Sequence, residues 1–362
     1  EEIVSCRSVS DGRLEWSVAV PGRHQTVLGG AGPRSTPTIH DGVVYAHGAT
    51  GWIHAIDGAT GRVLWRQNLV DELGIDPAAH AAAVAWGRSG SPLVLDDLVI
   101  LPAGGPRTRR EADETAYASL VALDRVTGRR RWLAGDEQIA YASPQLVDWE
   151  GRRLVVVVNE GHVAAYDPAD GSEVWEHPWP GHSSSDASCS QTVPLGAGRL
   201  LLSKGYGIGA AVIEVVPTAA APWTVREVWR NPLALKTKFT NVAIHDGHAY
   251  ALSDGVLECV RLDDGNRRWK AGRYGQGQVL RVGGLLLVQA ESGEVVLVEA
   301  AAAGHVVRGR LAALAGQTWN NPCLAGTRLL VRNAEEAACY ELPVVEAAAS
   351  GAGAAVAAEE TP

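Results

Sequence analysis

The sequence predicts an all-β fold, a propeller built from four-stranded blades, on three observations. The first is a repeat: Ala55-Ile56-Asp57-Gly58-Ala59-Thr60-Gly61-Arg62-Val63-Leu64-Trp65 returns as Ala122-Leu123-Asp124, Thr127-Gly128 and Trp132, then as Ala165-Tyr166-Asp167, Asp170-Gly171 and Trp175. Weaker copies run from Cys6 to Trp16, with Ser8 in the aspartate slot, and from Cys259 to Trp269, with Arg261 there. A supersecondary unit that recurs along a chain means an array of similar parts. The second observation is short apolar runs bounded by turn residues, such as Leu154–Val158 and Leu285–Val288, which read as buried strands. The third is the scarcity of helical periodicity. Only Val70–Ala85 reads as a short helix, placed in a loop between units.

Each unit follows one order: a Pro-containing strand start, an Asp/Gly turn, an apolar strand, a second turn, a third strand, and the Gly-to-Trp tail. In the unit around the best copy these are Ser35–His40, Asp41-Gly42, Val43–His47, Gly51–Ile56 and Arg62–Asn68. Asp-Gly between apolar runs is a hairpin signal. First strands start near Ser35, Ser91, Ser143, Ser190, Thr240, Gln278 and Asn320. Third strands fall near Ile3, Ile53, Leu120, Val163, Val212, Leu257, Val295 and Ala338, and fourth strands end near Trp16, Trp65, Trp132, Trp175, Trp229, Trp269 and Arg310. Four strands per repeat is the propeller pattern. The count favours eight blades with the first incomplete, and seven is the alternative.

Residues 1–343 read as one propeller domain, and 344–362, rich in Ala, Gly and Glu, as a disordered tail. Insertions at Asp71–Arg88, Gly104–Tyr117 and Pro178–Ser188 interrupt the rhythm; the middle one carries Arg107, Arg109, Arg110, Glu111, Asp113 and Glu114 and reads as a solvated hairpin loop. The chain contains no methionine and opens inside a repeat, so it is expected to be a piece of a longer protein. A net charge of −9 argues against nucleic-acid binding, which needs clustered cations. No apolar run reaches the ~18 residues of a membrane span. Five cysteines (Cys6, Cys189, Cys259, Cys323 and Cys339) show no paired spacing. They read as small core residues, with Cys6, Cys259 and Cys339 at equivalent, buried strand positions.

The turn chemistry is local. Glycine permits positive φ, and an aspartate side chain accepts backbone N–H groups inside the turn. Trp16, Trp65, Trp132, Trp175, Trp229 and Trp269 each offer a large apolar surface and one N–H donor, suited to joining adjacent blades. The pattern A-x-D-x-x-T-G-x-x-x-W resembles the pyrroloquinoline-quinone repeat of quinoprotein alcohol dehydrogenases. The same repeat builds the lipoprotein of the bacterial outer-membrane barrel assembly machinery. With its Gly-Ser-Pro and Ala-Ser-Pro strand starts, the chain resembles the non-enzymatic, BamB-like propellers. That resemblance implies a quinoprotein-like propeller, an extracytoplasmic location and protein partners.

Quinoprotein dehydrogenases hold their quinone with a calcium or related ion bound by Glu, Asn and Asp, and many add a disulfide between neighbouring cysteines. No adjacent cysteines occur here, and no acidic constellation maps onto that site. No catalytic, cofactor-binding or metal-binding residue is therefore assigned; pyrroloquinoline quinone with calcium belongs to the alternative, a dehydrogenase of alcohols or sugars. His245-Asp246-Gly247-His248 reads as a hairpin turn rather than a metal pair, and Lys204–Gly209 as a turn rather than a phosphate loop. His177 and His182 lack a third zinc ligand nearby. The positions that the repeat does not explain lie just before the inner strands, where a propeller opens onto its channel: Arg34, Arg88, Tyr141, Lys236, Lys238, Gln276, Trp319 and Asn320. A locally basic and aromatic mouth on an acidic chain suits an anionic ligand or a partner's acidic segment. The chain is thus expected to be a monomeric binding scaffold for protein or ligand, with a role in envelope assembly.

Overall fold

The computed structural model describes residues 1–343 except Pro33, Pro106, 109–114, Glu150 and Ala220. Sheets follow one another along the chain, each an antiparallel meander in sequence order. Six have four strands: blade 1 (38–68), blade 2 (93–134), blade 3 (145–178), blade 4 (193–231), blade 5 (243–273) and blade 6 (278–312). Blade 7 (323–341) has three. Seven blades is the alternative count, and it describes the propeller. The favoured eighth is present only as the pair Glu2–Arg7 and Leu14–Val20, a two-stranded sheet matching the third and fourth strands of a unit.

Strand positions follow the repeat closely. Every expected third strand is present, from Glu2–Arg7 to Ala337–Glu341. The hairpin turns carry left-handed backbone where the sequence supplies residues that tolerate it: Asp41 (φ 48°) with Gly42 (φ 74°), and Asp246 (φ 43°) with Gly247 (φ 70°). Two positive-φ residues in a two-residue loop match the strand twist of a tight hairpin. Lys204 and Gly209 likewise end and begin paired strands, as expected for a turn. The expected helix is corrected to two short ones, Leu69–Glu72 and Pro77–Ala83. Gly74 at φ 64° ends the first, and Asp76 caps the second, whose first residue is Pro77. Strands Arg107–Thr108 and Thr115–Ala116 pair within the second insertion; Arg109, Arg110, Glu111, Asp113 and Glu114, like the tail 344–362, lie outside the described residues.

Contacts between blades explain the repeat. The indole of Trp16 donates to the Gly58 carbonyl at 2.9 Å, Trp65 to Arg125 at 2.9 Å, Trp132 to Pro168 at 3.1 Å and Trp229 to Leu262 at 2.7 Å. Each acceptor follows the aspartate slot of the next blade's turn. A Cβ on the turn glycine would meet the same ring: 2.6 Å from Trp16 at Gly61, 2.8 Å from Trp65 at Gly128, 2.8 Å from Trp132 at Gly171 and 2.6 Å from Trp229 at Gly265. The Asp-x-x-Thr-Gly turn and the tryptophan are therefore two halves of one contact, made by successive blades. Trp269 makes the same reach to Ala301 at 2.8 Å across a longer turn. Trp175 differs: the connection after Gly209–Val216 in blade 4 lacks the motif, and the buried Trp175 indole N–H has no acceptor among the described residues. Its ring packs edge-on to Trp149, which also meets Trp223.

The cysteine expectation is partly corrected. Cys259 is buried, Cys6 is half-buried and Cys339 is exposed; all five are free thiols. Cys339 lies on the last strand of the three-stranded blade, whose edge carries no fourth strand.

Candidate functional site

The inner strands meet around the channel through hydrogen bonds that step from blade to blade. Thr36 N–H donates to Ser91 Oγ at 2.9 Å, Ser91 N–H to Ser143 Oγ at 2.9 Å and Gln191 N–H to Asn241 Oδ1 at 2.8 Å. The recurrent Ser and Thr beside proline at these starts thus satisfy backbone donors that the sheet leaves unpaired. They are scaffold.

The residues expected at the mouth divide into two groups. Arg34, Arg88 and Tyr141 are corrected: all three are committed to structure. Arg34 donates to the carbonyls of Trp86 (3.1 Å), Gly29 (2.8 Å) and Gly30 (3.0 Å), and burial holds its guanidinium below the usual range. Arg88 is 1% exposed, donates to the carbonyls of Pro102 (2.8 Å) and Ala103, and is lowered by burial to about 10. Tyr141 is buried, donates to Ser183 O at 2.7 Å and accepts from Trp86 N–H; burial raises its hydroxyl. A buried cation bonded to carbonyls fixes loops and meets no ligand.

The second group comes together. Phe239 and Trp319 pack at a tilt with ring centroids 5.0 Å apart, and Gln278 Nε2 donates to both their carbonyls at 2.9 Å. Trp319 Nε1 donates to Glu291 Oε1 at 2.8 Å, while Glu291 Oε2 accepts from Gln276 N–H at 3.0 Å. Burial alone would raise Glu291, but these donors outweigh it and hold the carboxylate below its ordinary value. Lys238 Nζ stands 5.6 Å from the centroid of Tyr206, whose ring is 45% exposed. Lys236 is neutralised by Asp254 at 2.5 Å, and Asn320, with its amide turned, pairs with Arg332. This rim draws on blades 4 to 7. Phe239, Tyr206, Glu291 and Arg332 escaped the sequence reading. Phe239 had a signal, being the one phenylalanine of the chain and sitting directly before a first-strand start.

Beside the rim, a cavity of about 530 Å³ opens among Arg273, Tyr274, Glu291, Arg310 and Gln317. Among the described residues no group of three or more His, Cys, Asp or Glu side chains could hold a metal ion.

Residues 1–271 match the family model described as outer membrane protein assembly factor BamB. The chain belongs to that family. Among solved structures, this BamB-family propeller is similar to BamB from Moraxella catarrhalis (TM-score 0.62, 16% identity, 93% of this chain and 88% of that one). It is also similar to quinohemoprotein alcohol dehydrogenase from Comamonas testosteroni (TM-score 0.61, 13% identity, 91% and 67%). Likeness at such identity shows the fold. A curated relative, 1-butanol dehydrogenase (quinone) from Thauera butanivorans, is 28% identical over 177 residues, 45% of this chain and 25% of its own length. The chain spans only about a quarter of the curated relatives it matches.

Proposed function

We propose that this BamB-family propeller is a non-catalytic scaffold that binds another protein outside the cytoplasm, in envelope assembly, and that it acts as a monomer. The observation that carries this reading is the rim at Tyr206, Lys238, Phe239 and Trp319. It gathers aromatic surface and an unpaired cation where the repeat has no structural use for them. Aromatic anchors beside charge are the composition of protein-binding hot spots. Membership of a family described as an outer-membrane assembly factor supports the setting. Fold alone would not, because one propeller hosts many activities.

The partial similarity to quinone-dependent dehydrogenases keeps a second reading in view, oxidation of an alcohol or sugar. One experiment separates the two. Purified chain is incubated with pyrroloquinoline quinone and calcium, desalted, and examined by absorbance and by dye-linked alcohol oxidation. The scaffold reading expects neither retained chromophore nor dye reduction. Stoichiometric quinone with substrate-dependent turnover would replace it with the dehydrogenase.

A further inference from the structure

We infer that the rim and the adjoining cavity receive an extended peptide segment of the partner protein in which carboxylates alternate with large apolar side chains. The inference rests on the scaffold reading and specifies what the scaffold binds.

Charge comes first. The chain is acidic, and most basic side chains near the channel are already used. Lys236 meets Asp254, Arg310 meets Glu294 at 2.7 Å, and Lys204 is buried against the Pro180 carbonyl and Asp186. Lys238 is not used in this way. Its ammonium faces the Tyr206 ring and has no carboxylate or carbonyl partner among the described residues. Among the described residues Arg332 pairs with Asn320, and Arg273, exposed at the wall of the cavity, forms no ion pair. Cations without an ion-pair partner beside aromatic rings favour an anionic visitor.

The space between these cations is aromatic. Phe239 follows Lys238 in the chain and packs at a tilt against Trp319, so a carboxylate at Lys238 would place its neighbouring side chain beside these rings. Gln276 Oε1 is buried with no hydrogen-bond partner among the described residues. Glu291 connects the two regions. Its carboxylate takes the Trp319 indole and the Gln276 amide, and it also lines the cavity with Arg273 and Gln317. Its carboxylate stays charged, so this link takes the apolar side chains of the segment and leaves its acids to the cations on either side. Chain adjacency of Lys238 and Phe239, the Phe239–Trp319 ring contact and the Glu291 bonds thus link Tyr206 to the cavity wall at Arg273. A polyanion without apolar groups would leave the rings uncovered, and an apolar peptide without acids would leave the cations unpaired.

The test uses the 362-residue chain and fluorescein-labelled synthetic peptides: alternating Asp-Phe, alternating Lys-Phe and alternating Asp-Gly. Fluorescence anisotropy should show saturable binding of the Asp-Phe peptide alone. Lys238→Glu and Trp319→Ala should each weaken it by about tenfold or more. Tyr206→Ala, on an exposed turn, is the variant least able to disturb folding, and it should weaken binding by a smaller factor. Equal binding of the Lys-Phe peptide, or Asp-Phe binding untouched by both Lys238→Glu and Tyr206→Ala, overturns the inference. Its failure is distinct from failure of the scaffold reading, which the quinone assay decides separately.

Discussion

At the scale of single residues, the tryptophans of the repeat offer an internal control. Trp65 donates to Arg125 O and presses on Gly128, whereas the Trp175 indole has no acceptor. Replacing Trp65 with Phe should cost about 1 kcal/mol for the hydrogen bond beyond the loss of ring area. The same change at Trp175 carries only the packing loss and removes an unsatisfied buried donor. Urea denaturation of both variants checks the contrast, and an equal donor penalty at the two sites would contradict it. Gly128→Ala should cost more than the Trp65 hydrogen bond. Its φ of 73° already disfavours a side chain by ~1–2 kcal/mol, and the new Cβ would lie 2.8 Å from the Trp65 ring. The mouth residues teach the opposite lesson. Arg34 and Arg88 stood out in the sequence as cations outside the repeat, yet each spends its donors on carbonyls. A cation's partners depend on the third dimension.

At the scale of elements, the junction between blades 1 and 2 holds a group of histidines around Arg88. Burial, then the Arg88 cation, lowers His47 from 6.5 to about 3 and His80 to about 4. His54 and His24 are lowered too, mainly by burial. The unfolded chain takes up these protons as pH falls through 6.5, and the folded chain resists. Stability is therefore full above pH 6.5 and is lost progressively as pH falls toward 4 and then 3. Thermal melts at about pH 7.5 and about pH 5 should show the lower Tm at the acidic value. A Tm that does not fall would mean these histidines are solvated. A second consequence belongs to the incomplete sheets. Cys259, in the middle of a full blade, is buried, while its repeat equivalent Cys339 and the nearby Cys323 are exposed. In the native 362-residue chain, a chromogenic thiol reagent should modify Cys323 and Cys339 quickly and Cys259 only on unfolding. Rapid modification of Cys259 would show that blade 5 opens.

At the scale of the whole molecule, the propeller is a ring of sheets in which the fourth strands of the two-stranded sheet and of blades 1, 2, 4 and 5 reach the next blade's turn. Stability should then spread through neighbour contacts in the manner of repeat proteins. The binding reading also belongs here, since the rim assembles side chains from four blades. Binding of the Asp-Phe peptide should weaken steeply with salt, because the cations at both ends of its path are near the surface. A salt-independent affinity would assign the binding to the rings alone.

The sequence by itself determined the all-β class, the order and position of the strands, and the hairpin turns. Those features are written in local chemistry: a period of apolar residues, an aspartate and a glycine where the backbone must turn, a proline before the first strand. It also contained both halves of the contact between blades, though not that they meet across blades rather than within one. Only the tertiary structure decided which of Arg34, Arg88, Tyr141, Lys236, Lys238, Gln276, Trp319 and Asn320 remain available. It buried Arg88 and Tyr141, committed Arg34 to carbonyls, neutralised Lys236, and gathered Lys238, Gln276, Trp319 and Asn320 with Phe239, Tyr206, Glu291 and Arg332. The count of blades was decided in the same way. A strand is a local event, but a complete blade needs four of them to find one another, and the first pair has only itself.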